Sequence, residues 1–139
     1  MDPVLSALIE QWLAEDRWAR VWARYPDVTP EEERGTDVND CLPVSDRFLA
    51  EARARGLSAG LVCVEDGMVG SDEVWVHWWV RVGGVNVDWT VRQFIGAVPA
   101  SRVDALGTPA VWTEPGHPLL NGGVWHEFAY QPTWRRVSN

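Results

Sequence analysis

The stretch HWWVRVGGVNVDWTVRQF, residues 77–94, leaves this chain little conformational choice. Two runs rich in valine and tryptophan flank Gly83–Gly84. Paired glycines accept the positive-φ geometry of a two-residue hairpin turn, so 73–82 and 85–91 are expected to be antiparallel strands. That turn sets Val82 against Val85, Trp79 against Asp88 and His77 against Thr90. Alternation along each strand then gives one face of Val76, Trp78, Val80, Val82, Val85, Val87 and Trp89. The other face carries His77, Trp79, Arg81, Asn86, Asp88 and Thr90. His77 and Asp88 become diagonal neighbours at roughly 7–8 Å, within reach of a side-chain hydrogen bond. A one-residue slip would put them on opposite faces, so the pairing rests on the glycine turn.

The flanking sequence is helical before this hairpin and strand-rich after it. Leu5, Leu8, Ile9, Trp12 and Leu13 form a stripe at helical spacing that resumes at Ala19, Trp22 and Tyr25 and stops at Pro26. Thr29 and Pro30 followed by three acids predict a short second helix that Gly35 ends. Asp40 or Cys41 caps a third, through VSDRFLAEARAR to Gly56. Residues 59–67, 110–113 and 124–130 read as strands, with TWRRV as a further candidate; MVGSDE and EPGHPLLNGG read as loops. Helices first and strands after predict an α+β fold, N-terminal helices packed on an antiparallel sheet, within one domain spanning 1–139. Its expected parts are a helical segment 1–35, a core 36–94 holding the cysteine helix and the hairpin, and added strands over 95–139.

Composition narrows the partners. A net charge of −8 argues against nucleic acid, whose phosphates need a basic face. It suits a protein or peptide partner, a basic one in particular. No apolar run approaches a membrane span, and Asp2 and Glu10 interrupt any leader pattern at the N-terminus, so a cytoplasmic protein is expected. Two cysteines, Cys41 and Cys63, are too few for a disulfide framework and are expected to be free thiols. Cys41, His77, Asp88 and His126 are suitable metal ligands by type but lack metal-site spacing, so neither a metal nor another cofactor is expected. His117 and His126 read as ordinary loop and strand residues. The tryptophans at 75, 78, 79 and 89 read mostly as core; Trp79, opposite Asp88, would shield the His–Asp pair or line a substrate groove.

A carboxylate against one imidazole nitrogen fixes the tautomer and stabilises the charged ring, which is half of a nucleophilic site. Cys41 offers the other half, because a helix N-terminus and a neighbouring imidazolium both favour a thiolate. The three groups converge if the cysteine helix packs on the face bearing His77. A cysteine at a helix start, then HWWVRVGGVNVDWT with His77 and Asp88, resembles the transglutaminase-like branch of the papain-like cysteine-enzyme superfamily. VDWT is similar to that family's D-x-T ending, and DWTVRQF to small bacterial and phage members, papain-like toxin and deamidase domains among them. The resemblance covers residues 36–94 and implies a papain-like core. It also implies Cys41 as nucleophile, His77 as general base and acid, and Asp88 as orienting group. The oxyanion would be held by the Cys41 backbone N–H and a side-chain donor, Asn39 or Gln93. The implied chemistry is acyl transfer through a thioester: peptide cleavage, deamidation or crosslinking. The alternative is a catalytically inactive protein-binding module on the same scaffold, of phage or host-defence type.

Overall fold

The computed structural model describes residues 1–15 and 41–129. The continuation of the first helix beyond residue 15, the short helix after Thr29, the Asp40 cap, Asn39 and the TWRRV strand lie outside these residues. Among the described residues the fold is α+β. Its elements are α1 (Pro3–Ala14), α2 (Cys41–Ala54), β1 (Ala59–Val69), β2 (Asp72–Val82), β3 (Val85–Asp88), a 3-10 turn (Val91–Phe94), α3 (Ala100–Asp104), β4 (Ala110–Trp112) and β5 (Val124–Ala129). The strands form one antiparallel sheet in the order β4-β3-β2-β1-β5.

Helix α1 starts where Asp2 accepts a hydrogen bond from the Val4 N–H (2.7 Å) and Pro3 occupies the first turn. It buries Leu5, Leu8, Ile9 and Trp12, but ends at Ala14 with Glu15 extended. The sequence reading carried this helix further. Leu13, read as part of the stripe, is 41% exposed. Helix α2 begins at Cys41 and ends as expected at Gly56, whose φ of +82° lets the Leu57 N–H return to the Ala52 carbonyl (3.1 Å).

The hairpin has the expected register: Val82 pairs with Val85, Arg81 with Asn86 and Val80 with Val87. Two expectations around it fail. MVGSDE is not a loop, because β1 runs to Val69 and β2 starts at Asp72 around a tight turn. Gly70 turns there with φ +59°, and a Cβ on it would lie 2.9 Å from the Ala97 carbonyl oxygen. In addition β3 stops at Asp88 instead of running to Val91, for a reason given by the Asp88 side chain below.

The sheet has two covered faces. Helices α1 and α2 lie on the all-apolar face, packing Leu8, Trp12, Phe48 and Leu49 on Val80, Val87 and Trp89. Trp12, Phe48 and Trp89 meet with ring centroids 5.0–5.6 Å apart. The opposite face is covered by the chain after Asp88, with Phe94, Val98, Leu119 and Leu120 packed on Val62, Val64 and Trp79. Trp75 is not core but 84% exposed. No described helix is long and apolar enough to cross a membrane.

Phe48 joins both helices to the sheet and is completely buried. Phe48→Ala should destabilise the fold by about 3–5 kcal/mol, whereas Leu13→Ala should change it by less than about 0.5 kcal/mol. Urea unfolding of the two variants checks the contrast.

Candidate functional site

The polar residues on the non-helical side of the hairpin are not solvated. His77 and Asp88 have no exposed surface, and Asn86, Thr90 and Gln93 are buried. Asp88 organises them. Its Oδ1 accepts from the Thr90 N–H (2.9 Å) and hydroxyl (3.3 Å), a local side-chain turn that takes the backbone out of the ladder and ends β3. Its Oδ2 accepts from His77 Nε2 (2.7 Å) and His117 Nε2 (2.8 Å). Leaving the strand early lets the 3-10 turn bring the Gln93 carboxamide against His77 Nδ1.

Cys41 reaches the site from the helical side. The β2–β3 ladder stops at Val80–Val87, and beyond it the Ser45 hydroxyl donates to the Trp78 carbonyl (3.2 Å), seating the first turns of α2 on β2. Helix α2 packs on the face opposite His77, so shared-face packing is not what joins them. Instead the helix N-terminus brings the Cys41 thiol within side-chain hydrogen-bonding reach of His77. His77 Nε2 is committed to Asp88, which leaves Nδ1 for Cys41 and Gln93.

The electrostatics follow from burial and partners. Burial alone would push the His77 pKa down, but the charge and hydrogen bond of Asp88, aided by Cys41, raise it from 6.5 to about 10. Burial would likewise favour a neutral Asp88, yet the His77 charge and the hydrogen bonds from both imidazoles hold it well below the usual carboxylate range. His77 and Asp88 therefore form a buried ion pair at neutral pH. Cys63 is different: burial first, then Glu65 and Cys41, push its thiol up to about 11. Both cysteines are free and buried.

Of the candidates named from sequence, Cys41, His77, Asp88 and Gln93 come together. Trp79 stands beside His77 (ring centroids 5.8 Å), is almost wholly buried and spends its indole N–H on Asn86 Oδ1 (3.1 Å). It is a buried neighbour of the site, not the lining of an open groove. His126 stays apart on β5, 3.8 Å from the Glu65 carboxylate.

Sequence reasoning missed His117, which is buried between Trp79 and Trp112 (5.1 and 4.8 Å). A signal was present: Leu119–Leu120 in a Pro- and Gly-rich loop implies a loop folded inward, and both leucines are buried. The donor atoms of His77, Asp88 and His117 lie within 4.8 Å of one another, a spacing a metal ion could span. The hydrogen bonds argue otherwise. The Leu119 N–H donates to His117 Nδ1 (3.1 Å), which leaves the ring proton on Nε2, the atom a metal would need bare. The contacts among the three side chains read as a hydrogen-bond network centred on Asp88.

Compared with family models, curated proteins and solved structures, the chain matches none.

Two predictions follow from these protonation states. His77, with a raised pKa, stabilises the fold fully below 6.5 and loses that contribution as pH rises to about 10. Asp88 and His117, both lowered, contribute above 3.8 and 6.5 respectively and lose their contributions as pH falls. Unfolding free energy from urea titrations should thus peak near neutral pH, and Asp88→Asn should remove most of the decline on the alkaline side. Equimolar zinc should leave the Tm unchanged; a zinc-dependent rise would mean that His117 gives up its Nε2 proton.

Proposed function

We propose that this protein is a thiol-dependent acyl-transfer enzyme acting on a peptide bond or a glutamine carboxamide, a distant relative of the papain-like and transglutaminase-like cysteine enzymes. The observation that carries the reading is that Cys41 comes within side-chain hydrogen-bonding reach of His77 while Asp88 holds Nε2 of the same ring at 2.7 Å. A charged imidazole beside a thiol supplies both the ion pair that makes sulfur nucleophilic and the proton for a leaving amine.

In this reading the Cys41 sulfur forms a bond to the carbonyl carbon and the π electrons move onto oxygen. Collapse of that intermediate breaks the C–N bond, and His77 passes its proton to the departing amine or ammonia. The resulting thioester is resolved by water or by a second amine. By the resemblance, the backbone N–H of Cys41, at the start of α2, would hold the oxyanion. Gln93 is the side-chain candidate beside it. A carboxamide can present either its N–H or its oxygen, so it can follow the protonation of His77 Nδ1. The net charge of −8 would draw in a basic substrate protein.

One observation favours the second reading, a non-catalytic protein-binding module. Cys41 is only 2% exposed, whereas Trp75 is 84% exposed, and a displayed indole is a strong interface anchor. Native-state alkylation separates the two. Iodoacetamide at neutral pH should label Cys41 at least about ten times faster than Cys63, which stays protonated. Cys41→Ala should abolish ammonia release, amine incorporation or cleavage on unstructured glutamine-containing peptides while leaving the Tm within a few degrees. Cys41 labelling no faster than Cys63 would sink the enzyme reading and leave the binding module.

A further inference from the structure

His117 shares with His77 the same oxygen of Asp88, a second ring that a cysteine–histidine–aspartate relay does not itself require. We infer that His117 is a positioning residue that tempers the hold of Asp88 on His77, leaving His77 able to release its proton to a leaving group. The functional meaning of this inference rests on the thiol-enzyme reading.

The geometry carries the argument. Both imidazoles address the same oxygen, Oδ2, at 2.7 and 2.8 Å, while Oδ1 is occupied by Thr90. An oxygen that accepts two N–H groups spreads its charge over both, and each is held less strongly than it would be alone. The second donor is built in. The Leu119 N–H fixes the His117 tautomer with its proton towards Asp88. The loop is anchored by Trp112 Nε1 on the Gly116 carbonyl (2.9 Å) and by Asn86 Nδ2 on the Trp112 and Glu114 carbonyls (3.3 and 3.4 Å). The aromatic walls leave the ring itself, not water, as the donor at that point.

Among the described residues, the titratable groups that face His77 are Asp88 from the end of β3, Cys41 from the start of α2 and His117 from the loop. Those that face His117 are Asp88 and His77. Burial, helped by the positive charge of His77, keeps His117 neutral against the pull of Asp88. A neutral donor weakens the carboxylate's grip without adding a second positive charge to the site. A carboxylate undivided between two rings would make His77 a still weaker acid and slow proton delivery to the amine.

The chain has three histidines, so heteronuclear NMR can follow each ring. In His117→Phe the aromatic slot is filled but the donor is gone, and the His77 titration midpoint should rise by roughly 0.5–1 unit, the size of one lost hydrogen bond. His117→Gln, which keeps an N–H donor, should return the midpoint towards that of the unmutated protein. An unchanged or lowered midpoint in His117→Phe would overturn the inference. The unmutated protein supplies a test that does not depend on any variant folding. Ring-nitrogen shifts should report neutral His117 with its proton on Nε2 at pH values above the ordinary imidazole pKa of 6.5, and a proton on Nδ1 would overturn the inference. The Cys41 alkylation rate is measured separately. A His77 shift with an unreactive Cys41 would uphold the electrostatic coupling and overturn only its enzymatic purpose.

Discussion

A carboxylate with no exposed surface must be paid for by its neighbours, and Asp88 has four donors: His77, His117, the Thr90 N–H and the Thr90 hydroxyl. An unpaired charge at that depth would be prohibitive, and removing any one partner would leave part of the desolvation penalty uncompensated. Satisfying Asp88 dictates where β3 stops, how the chain turns after it, and which loop must fold over the hairpin. The 3-10 turn that carries Gln93 and the loop that carries His117 are both consequences of that requirement. The second core, built on Trp79, Phe94, Leu119 and Leu120, is the apolar surround that keeps water from taking the donors' places.

The two faces of the sheet divide the work. The helical face is an ordinary apolar core in which Trp12, Phe48 and Trp89 interlock, and its stability needs no chemistry. The other face holds a buried ion pair, which is weak evidence for stability but strong evidence for a defined geometry. Cys41 joins the two because it sits at the end of a helix, not along its side. The flank of α2 rests on one face, and its first turns are seated on β2 by the Ser45 hydroxyl on the Trp78 carbonyl, beyond the last β2–β3 pair.

Parts of this site were legible in the chain. Gly83–Gly84 set the register, the register put His77 and Asp88 on one side, and Gly56 marked the end of the helix that carries Cys41. Other parts were not. Trp89 and Val91 are good strand residues, so nothing local announced that the Asp88 side chain would capture the Thr90 backbone and end the strand. Trp75 has the same composition around it as Trp79, yet one is exposed and the other enclosed. Alternation says which residues share a face; it does not say how far a covering layer extends along it.

The sequence by itself determined what depends on neighbours a few positions away: turn chemistry at paired glycines, the glycine stop of α2, the two-residue alternation of the hairpin and the general α+β order. Only the tertiary structure decided which face the helices would take, that Gln93 would lie against His77, and that His117, 29 positions beyond Asp88, would share its carboxylate. The reason is physical. Turns and periodicities are fixed by steric and hydrogen-bond preferences within a few residues, whereas a buried charge takes its partners from whichever segment the completed core brings within 3 Å.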